Sequence, residues 1–137
     1  MALWLVPLLL TLDQILKLLA ERHLSPIPHH LFAFVYLTLV ENSGAAFGLF
    51  PGSSLLLAWL SLAVGIACLY YLSRRPPRLQ EFALSLVASG ALGNAIDRLG
   101  RGRVIDYIDL GPGRFPVFNL ADACVVVGVL LLILFRR

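Results

Sequence analysis

The chain holds 137 residues, 59% of them hydrophobic and 14% charged, whereas a soluble domain devotes about a quarter of its residues to charge. That balance excludes an ordinary soluble domain. Each membrane crossing takes roughly 20 apolar residues, so the length suits one four-span bundle, a single domain over residues 1–137, with no room for a separate soluble unit. The net charge of +3 does not indicate nucleic acid, because the arginines are scattered at the ends of apolar runs, where they anchor helices at headgroups.

The first apolar segment covers about residues 2–19 and carries Asp13 and Lys17. It has no basic leader and no small-residue cleavage pattern after it, so it is expected to be retained as a span. Asp13 and Lys17 stand four apart with the acid first, the favourable order for a helical ion pair, and a self-neutralising, supporting pair is the simplest reading. A connection follows over residues 22–52. It begins with Pro26 and Pro28 and runs into Leu31-Phe-Ala-Phe-Val-Tyr-Leu-Thr-Leu-Val40, rich in β-branched and aromatic residues. Both faces of that run are apolar, which predicts a strand lying at a membrane surface rather than a solvated hairpin. His23, His29 and His30 precede it as solvated loop residues, and Asn42-Ser43-Gly44 reads as a turn.

The second span is predicted at about residues 53–72 and the third at 81–99, joined by the basic turn Arg74-Arg75-Pro76-Pro77-Arg78. Cys68 and Cys124 lie inside apolar runs without metal or redox spacing and act as small buried hydrophobes. A loop bearing Asp106 and Asp109 leads to the fourth span, about residues 116–135. Counting Lys and Arg between the two ends gives five on each side: Arg74, Arg75, Arg78, Arg136 and Arg137 against Arg22, Arg98, Arg101, Arg103 and Arg114. Charge alone therefore leaves the orientation open. Four spans do place both termini on one side.

In such an antiparallel arrangement the ends of the first and third spans and the start of the fourth share one leaflet. Asp13, Lys17, Asn94, Asp97, Arg98, Asn119 and Asp122 then converge with Asp106. A carboxylate near lipid is costly and marks a functional candidate, and two brought together cannot both ionise freely, the electronic arrangement of aspartic-protease chemistry. Asp106 and Asp122 are the pair of choice. Two separate interfacial acids, one capping the last helix, is the competing account. Asn94 and Asn119 are amides able to hold a carboxylate or a peptide, or to pack helices. Arg98 suits a carbonyl or phosphate oxygen, or snorkels to the interface. Clustered Asp and Asn suit Mg²⁺ or Ca²⁺, but no His or Cys spacing of the zinc type appears, and neither metal nor cofactor is expected. A proton or ion pathway using Asp13, Asp97 and Asp122 and a lipid-binding scaffold remain alternatives to hydrolysis.

Five blocks stand in order along the chain: Asp13-Gln14 with Lys17, Asn42-Ser-Gly-Ala-Ala-Phe47, Gly93-Asn-Ala-Ile-Asp-Arg98, Val104-Ile-Asp-Tyr-Ile-Asp109 and Phe118-Asn-Leu-Ala-Asp122. Together they resemble the lipoprotein signal peptidases, the signal peptidase II family of bacterial cytoplasmic membranes. The resemblance implies an all-α four-helix transmembrane bundle with a small extracytoplasmic β-sheet cradle at about residues 23–52. It implies both termini in the cytoplasm and an active site near the outer leaflet. It places the catalytic dyad at Asp106 and Asp122, binding and support positions at Asn42, Gly44, Asn94, Arg98 and Asn119, and structural roles at Asp13, Lys17 and Asp97. Asp109 falls at an accessory position. The implied activity is removal of the signal peptide from diacylglyceryl-modified prolipoproteins, just before the lipidated cysteine. The implied partners are those substrates and membrane lipids, with no nucleic acid, and a monomer is expected. The loop of Asn42 and Gly44 is expected to close over substrate, Gly44 supplying backbone freedom.

Overall fold

The computed structural model describes residues 2–44 and 52–136. Its elements run α1 (Leu5–His23), β1 (His29–Phe32), β2 (Val35–Asn42), α2 (Ser54–Ser73), α3 (Arg78–Gly100), β3 (Val104–Asp109) and α4 (Leu120–Leu134). All four expected helices are present, with boundaries moved by a few residues.

The helices turn large apolar side chains outward and bury a mixture of polar and small apolar ones. In α1 the buried positions are Val6, Asp13, Lys17 and Ala20, spaced so that they share one face of a 3.6-residue helix, while Leu8, Leu12, Ile15, Leu18 and Leu19 lie exposed. α3 is the central helix and packs against α1, α2 and α4. Close approach rests on small residues. A side chain at Gly90 would overlap the Ala121 carbonyl of α4, and one at Gly128 would come 2.7 Å from the Ala83 carbonyl of α3. Among the described residues, α2 is long and apolar enough to cross a membrane by length and composition, and α4 is an apolar helix of 15 residues.

Two expectations about the connections need correction. The apolar run after Pro28 is a hairpin, not one strand: β1 pairs antiparallel with β2 through His29–Leu37, His30–Tyr36 and Phe32–Val35. Ala33 takes the left-handed conformation at the tip, φ 47°, which reverses the chain where sequence patterning offered only two apolar faces. The segment bearing Asp106 and Asp109 is a strand rather than a loop. β3 pairs antiparallel with β2, giving a three-stranded sheet of order β1-β2-β3, so the sheet draws on both connections at this end and not on the first alone. The last helix also begins later than expected, at Leu120. Residues 116–119 approach it extended, with Phe118 bridged to Ile108.

α4 starts where Asn119 supplies an N-cap. The Asn119 Oδ1 accepts from the Asp122 backbone N–H at 2.8 Å, and Asp122 Oδ2 accepts from the Asn119 N–H at 3.4 Å. This reciprocal capping box satisfies two otherwise unpaired donors and fixes Asp122 in the first turn.

Candidate active site

The sheet and the cap bring one polar cluster to the end of the bundle formed by the C-terminal turns of α1 and α3 and the N-terminus of α4. Asp13, Lys17, Asn94, Asp97, Arg98, Asp106, Asn119 and Asp122 are all buried. Burial of that much charge is tolerated only when each group is paired or hydrogen-bonded; here Asp13, Lys17 and Asp97 form ion pairs, and Asp106, Asp122 and Arg98 are held by hydrogen bonds.

Lys17 is its hub. The ammonium lies 2.7 Å from Asp13 Oδ2 and 3.1 Å from Asp97 Oδ2, and also donates to Asn94 Oδ1 at 3.2 Å. Asp97 spends its remaining acceptor capacity on structure. It accepts from Arg101 Nη1 at 2.9 Å, from Gln14 Nε2 at 3.1 Å and from the Ile105 N–H at 3.1 Å, the last bond fastening β3 to α3 one residue before Asp106. The sequence reading of Asp13 and Lys17 as an ion pair is therefore observed, enlarged to a network that includes Asp97, Arg101 and Glu21.

Two asparagines connect this network to the paired carboxylates. Asn94 accepts at Oδ1 from Lys17 and from Asn119 Nδ2, which turns its own Nδ2 toward Asp122 Oδ1, 2.8 Å away. Asn119 donates from Nδ2 to Asp106 Oδ1 at 2.9 Å while its backbone N–H holds Asp122. One residue thus touches both carboxylates. Asn42 approaches Asp106 from β2. Val40 is the direct cross-strand partner of Asp106, so Asn42, two residues on, lies on the same face as its diagonal neighbour. Its side chain hydrogen-bonds the Asp106 carboxylate, while its Oδ1 accepts the Gly44 N–H at 2.9 Å.

Asp106 is 1% exposed. Burial, and then the charge of Asp122, push its pKa from the ordinary 3.8 up to about 7, against the hydrogen bonds from Asn42 and Asn119 and the Lys17 charge. A carboxyl poised near neutrality keeps its proton into the physiological range, as an acid catalyst requires.

Arg98 lies at the mouth. It donates from Nη1 to Ser61 Oγ at 3.0 Å and from Nη2 to the Gly44 carbonyl at 3.2 Å, while its buried Nε has no hydrogen-bond partner among the described residues. It borders a cavity of about 290 Å³ between α2, α3 and α4, lined also by Ser61, Asn94, Asp122 and apolar side chains such as Leu57 and Val126. A smaller apolar pocket of about 230 Å³, between Phe115, Phe118 and α4, also reaches Asp122. Among the described residues, no three His, Cys, Asp or Glu side chains converge on a point able to hold a metal ion.

All ten residues singled out from the sequence lie in or directly beside this cluster. Residues 45–47 of the Asn42 block lie outside the described residues, as does most of the loop expected to close. Asp109 belongs to the sheet instead. It accepts from Thr38 Oγ1 at 2.8 Å and from the Gly111 N–H at 3.1 Å. Gln14, Ser61, Arg101 and Tyr107 were missed. Gln14 and Tyr107 stood inside quoted blocks, but nothing in their spacing marks a buried polar role, and Ser61 is a lone hydroxyl in an apolar helix.

Comparison with known proteins gives a consistent picture. The family described as signal peptidase (SPase) II matches residues 5–136. A lipoprotein signal peptidase of Caldanaerobacter subterraneus is 40% identical over 136 residues, covering 96% of this chain and 92% of the relative. One from Syntrophomonas wolfei is 50% identical over 101 residues, covering 73% and 66%. A bacterial membrane enzyme solved by the in meso method at 2.3 Å superposes with a TM-score of 0.86 at 30% identity, covering 97% of this chain and 85% of the other. A second, solved at 1.9 Å, gives 0.83 at 29% identity, covering 97% and 90%.

Proposed function

This chain belongs to the signal peptidase II family, and on that premise we propose that it is an aspartic endopeptidase that removes signal peptides from diacylglyceryl-modified prolipoproteins. The observation that carries the aspartic mechanism is the sharing of Asn119 between the Asp106 and Asp122 carboxylates.

In the proposed reaction Asp122 is the ionised base. Asn94 presents an N–H to it, and Arg98 lines the same cavity. Asp122 takes a proton from a water lying between the carboxylates, and the resulting hydroxide attacks the scissile carbonyl. Asp106 donates its proton to the carbonyl oxygen as it becomes tetrahedral. Collapse of this intermediate passes the proton on Asp122 to the leaving amine and returns the other to Asp106. No covalent enzyme intermediate forms. The clustering of every one of these groups at one end of the bundle favours hydrolysis over an ion pathway, which needs carboxylates spaced across the bilayer.

The outward apolar faces support a multi-pass bundle in a membrane, and membership of the family implies the bacterial cytoplasmic membrane with both termini cytoplasmic. The polar cluster and sheet would then lie near the outer leaflet, where a lipid-anchored precursor presents its bond before the modified cysteine. The cavity between α2 and α4 suits an apolar substrate segment. Arg98 holds the Gly44 carbonyl and so anchors the end of the Asn42 turn beside Asp122. The enzyme acts as a monomer without cofactor. Purified Asp106→Asn and Asp122→Asn proteins, assayed by the mobility shift of a lipidated precursor, should each insert and fold yet leave the precursor intact. Near-normal processing by both overturns the dyad.

A further inference from the structure

The first turn of α4, which carries Asp122, is held from three directions. A helix begins with backbone N–H groups that lack partners inside the helix, and here the first three all donate to side chains. Asp122 N–H donates to the cap residue Asn119, and Ala121 N–H donates to Asp13 Oδ1 of α1 at 3.1 Å. Leu120 N–H donates to the phenol oxygen of Tyr107 at 3.3 Å.

Tyr107 is the neighbour of Asp106 in β3. Its backbone N–H donates to the Phe118 carbonyl at 3.0 Å, so main chain and side chain together grip residues 118–120 on either side of the cap. The ring is 6% exposed, which leaves the phenol little room to swing away. We propose that Tyr107 is a positioning residue that sets the spacing of the two reacting carboxylates, by tying the strand that bears Asp106 to the helix start that bears Asp122. The inference rests on the peptidase reading and adds to it a residue that touches neither substrate nor reacting atoms. Burial, reinforced by nearby carboxylates, raises the Tyr107 pKa, so the phenol stays neutral through the working range and serves as a clamp rather than an acid. The charged groups around the spacing it sets are Asp13 and Lys17 from α1, Arg98 from α3 and Asp122 from α4.

Tyr107→Phe keeps the ring and deletes the clamp. With one of the three ties on the first turn of α4 removed, kcat on a lipidated precursor should fall about ten- to a hundredfold, the scale of a small misplacement of reacting groups, while KM stays within about twofold. The diagnostic readout is the pH profile. The charge of Asp122 helps hold the Asp106 pKa up, so a looser pair should move the alkaline limb of the profile to lower pH. Leu120→Pro deletes the same bond from the donor side. Proline suits the first helical position, and the extended backbone of Asn119, φ −132° and ψ 177°, suits a following proline. It should reproduce the shifted limb, and adding Tyr107→Phe to it should change nothing more.

Wild-type kcat and limb in Tyr107→Phe overturn the proposal. So does a reduced kcat with an unmoved limb, which makes the phenol a stabiliser only, and so do effects of the two substitutions that add. A wild-type chain unable to cleave the lipidated precursor overturns the peptidase reading itself, an outcome distinct from a cleaving wild type matched by Tyr107→Phe.

Discussion

Replacing Asp106 by asparagine should make the protein more stable at neutral pH while abolishing its activity. The side chain is buried, and its pKa rises from 3.8 to about 7, so at pH 8 the folded state carries a charge that burial disfavours. At about 1.4 kcal/mol for each tenfold change in proton affinity, that rise corresponds to a destabilisation of about 4 kcal/mol. Asparagine is of the same shape and still accepts from Asn119 Nδ2 at the retained oxygen, so few hydrogen bonds are lost. The value of about 7 already includes the attraction to Lys17 and the hydrogen bonds from Asn42 and Asn119, so about 4 kcal/mol is the ceiling on the net gain. The sign fixes the pH window. The folded form binds the proton more tightly than the unfolded chain, so wild-type stability declines as pH rises above 3.8, and the penalty is complete above about 7. Thermal unfolding in detergent micelles between pH 4 and pH 8 is the assay. The melting midpoint of Asp106→Asn should exceed that of the wild type at pH 8, and the two should converge near pH 4. A variant that is less stable at pH 8, or a gap independent of pH, refutes the reasoning.

Other perturbations test the surroundings of the dyad. Lys17→Met leaves Asp13 and Asp97 facing one another without the cation between them and should cost about 3–5 kcal/mol, read as a lower melting midpoint with loss of processing. Gly90→Ala drives a methyl group into the Ala121 carbonyl and to 2.6 Å from Val125 Cγ2. It should cost about 1–3 kcal/mol and slow cleavage, because the backbone that must move is one residue from Asp122. Arg103→Ala removes a half-exposed ion pair with Glu41, 3.0 Å long, and should leave stability within about 0.5 kcal/mol and the cleavage rate unchanged. The wild-type cleavage rate should itself decline as pH rises through about 7, where Asp106 loses the proton it donates.

Composition and local pattern by themselves determined the four helices and the end at which polar groups gather, while the choice of Asp106 and Asp122 among those groups came from the family resemblance. The helices and that end follow from quantities local in sequence: the length of an apolar run, and the cost of a charge within it. Asp13 and Lys17 pair within one helix, so four-residue spacing sufficed to see them. The strand at 104–109 was not legible, because Val-Ile-Asp-Tyr-Ile-Asp takes its form from pairing with β2, some sixty residues earlier in the chain, and a strand's hydrogen bonds belong to its partner. The hairpin likewise depended on one left-handed alanine in a run whose two faces look alike.

Tertiary structure alone decided how the site is held. Asp97 serves as anchor for β3, Asn94 turns its amide so that the N–H faces Asp122, and Tyr107 receives the first N–H of α4. Each of these is a choice among several partners of equal chemical aptitude. It is made by distance after the helices have packed, and the order of residues along a chain does not record distance.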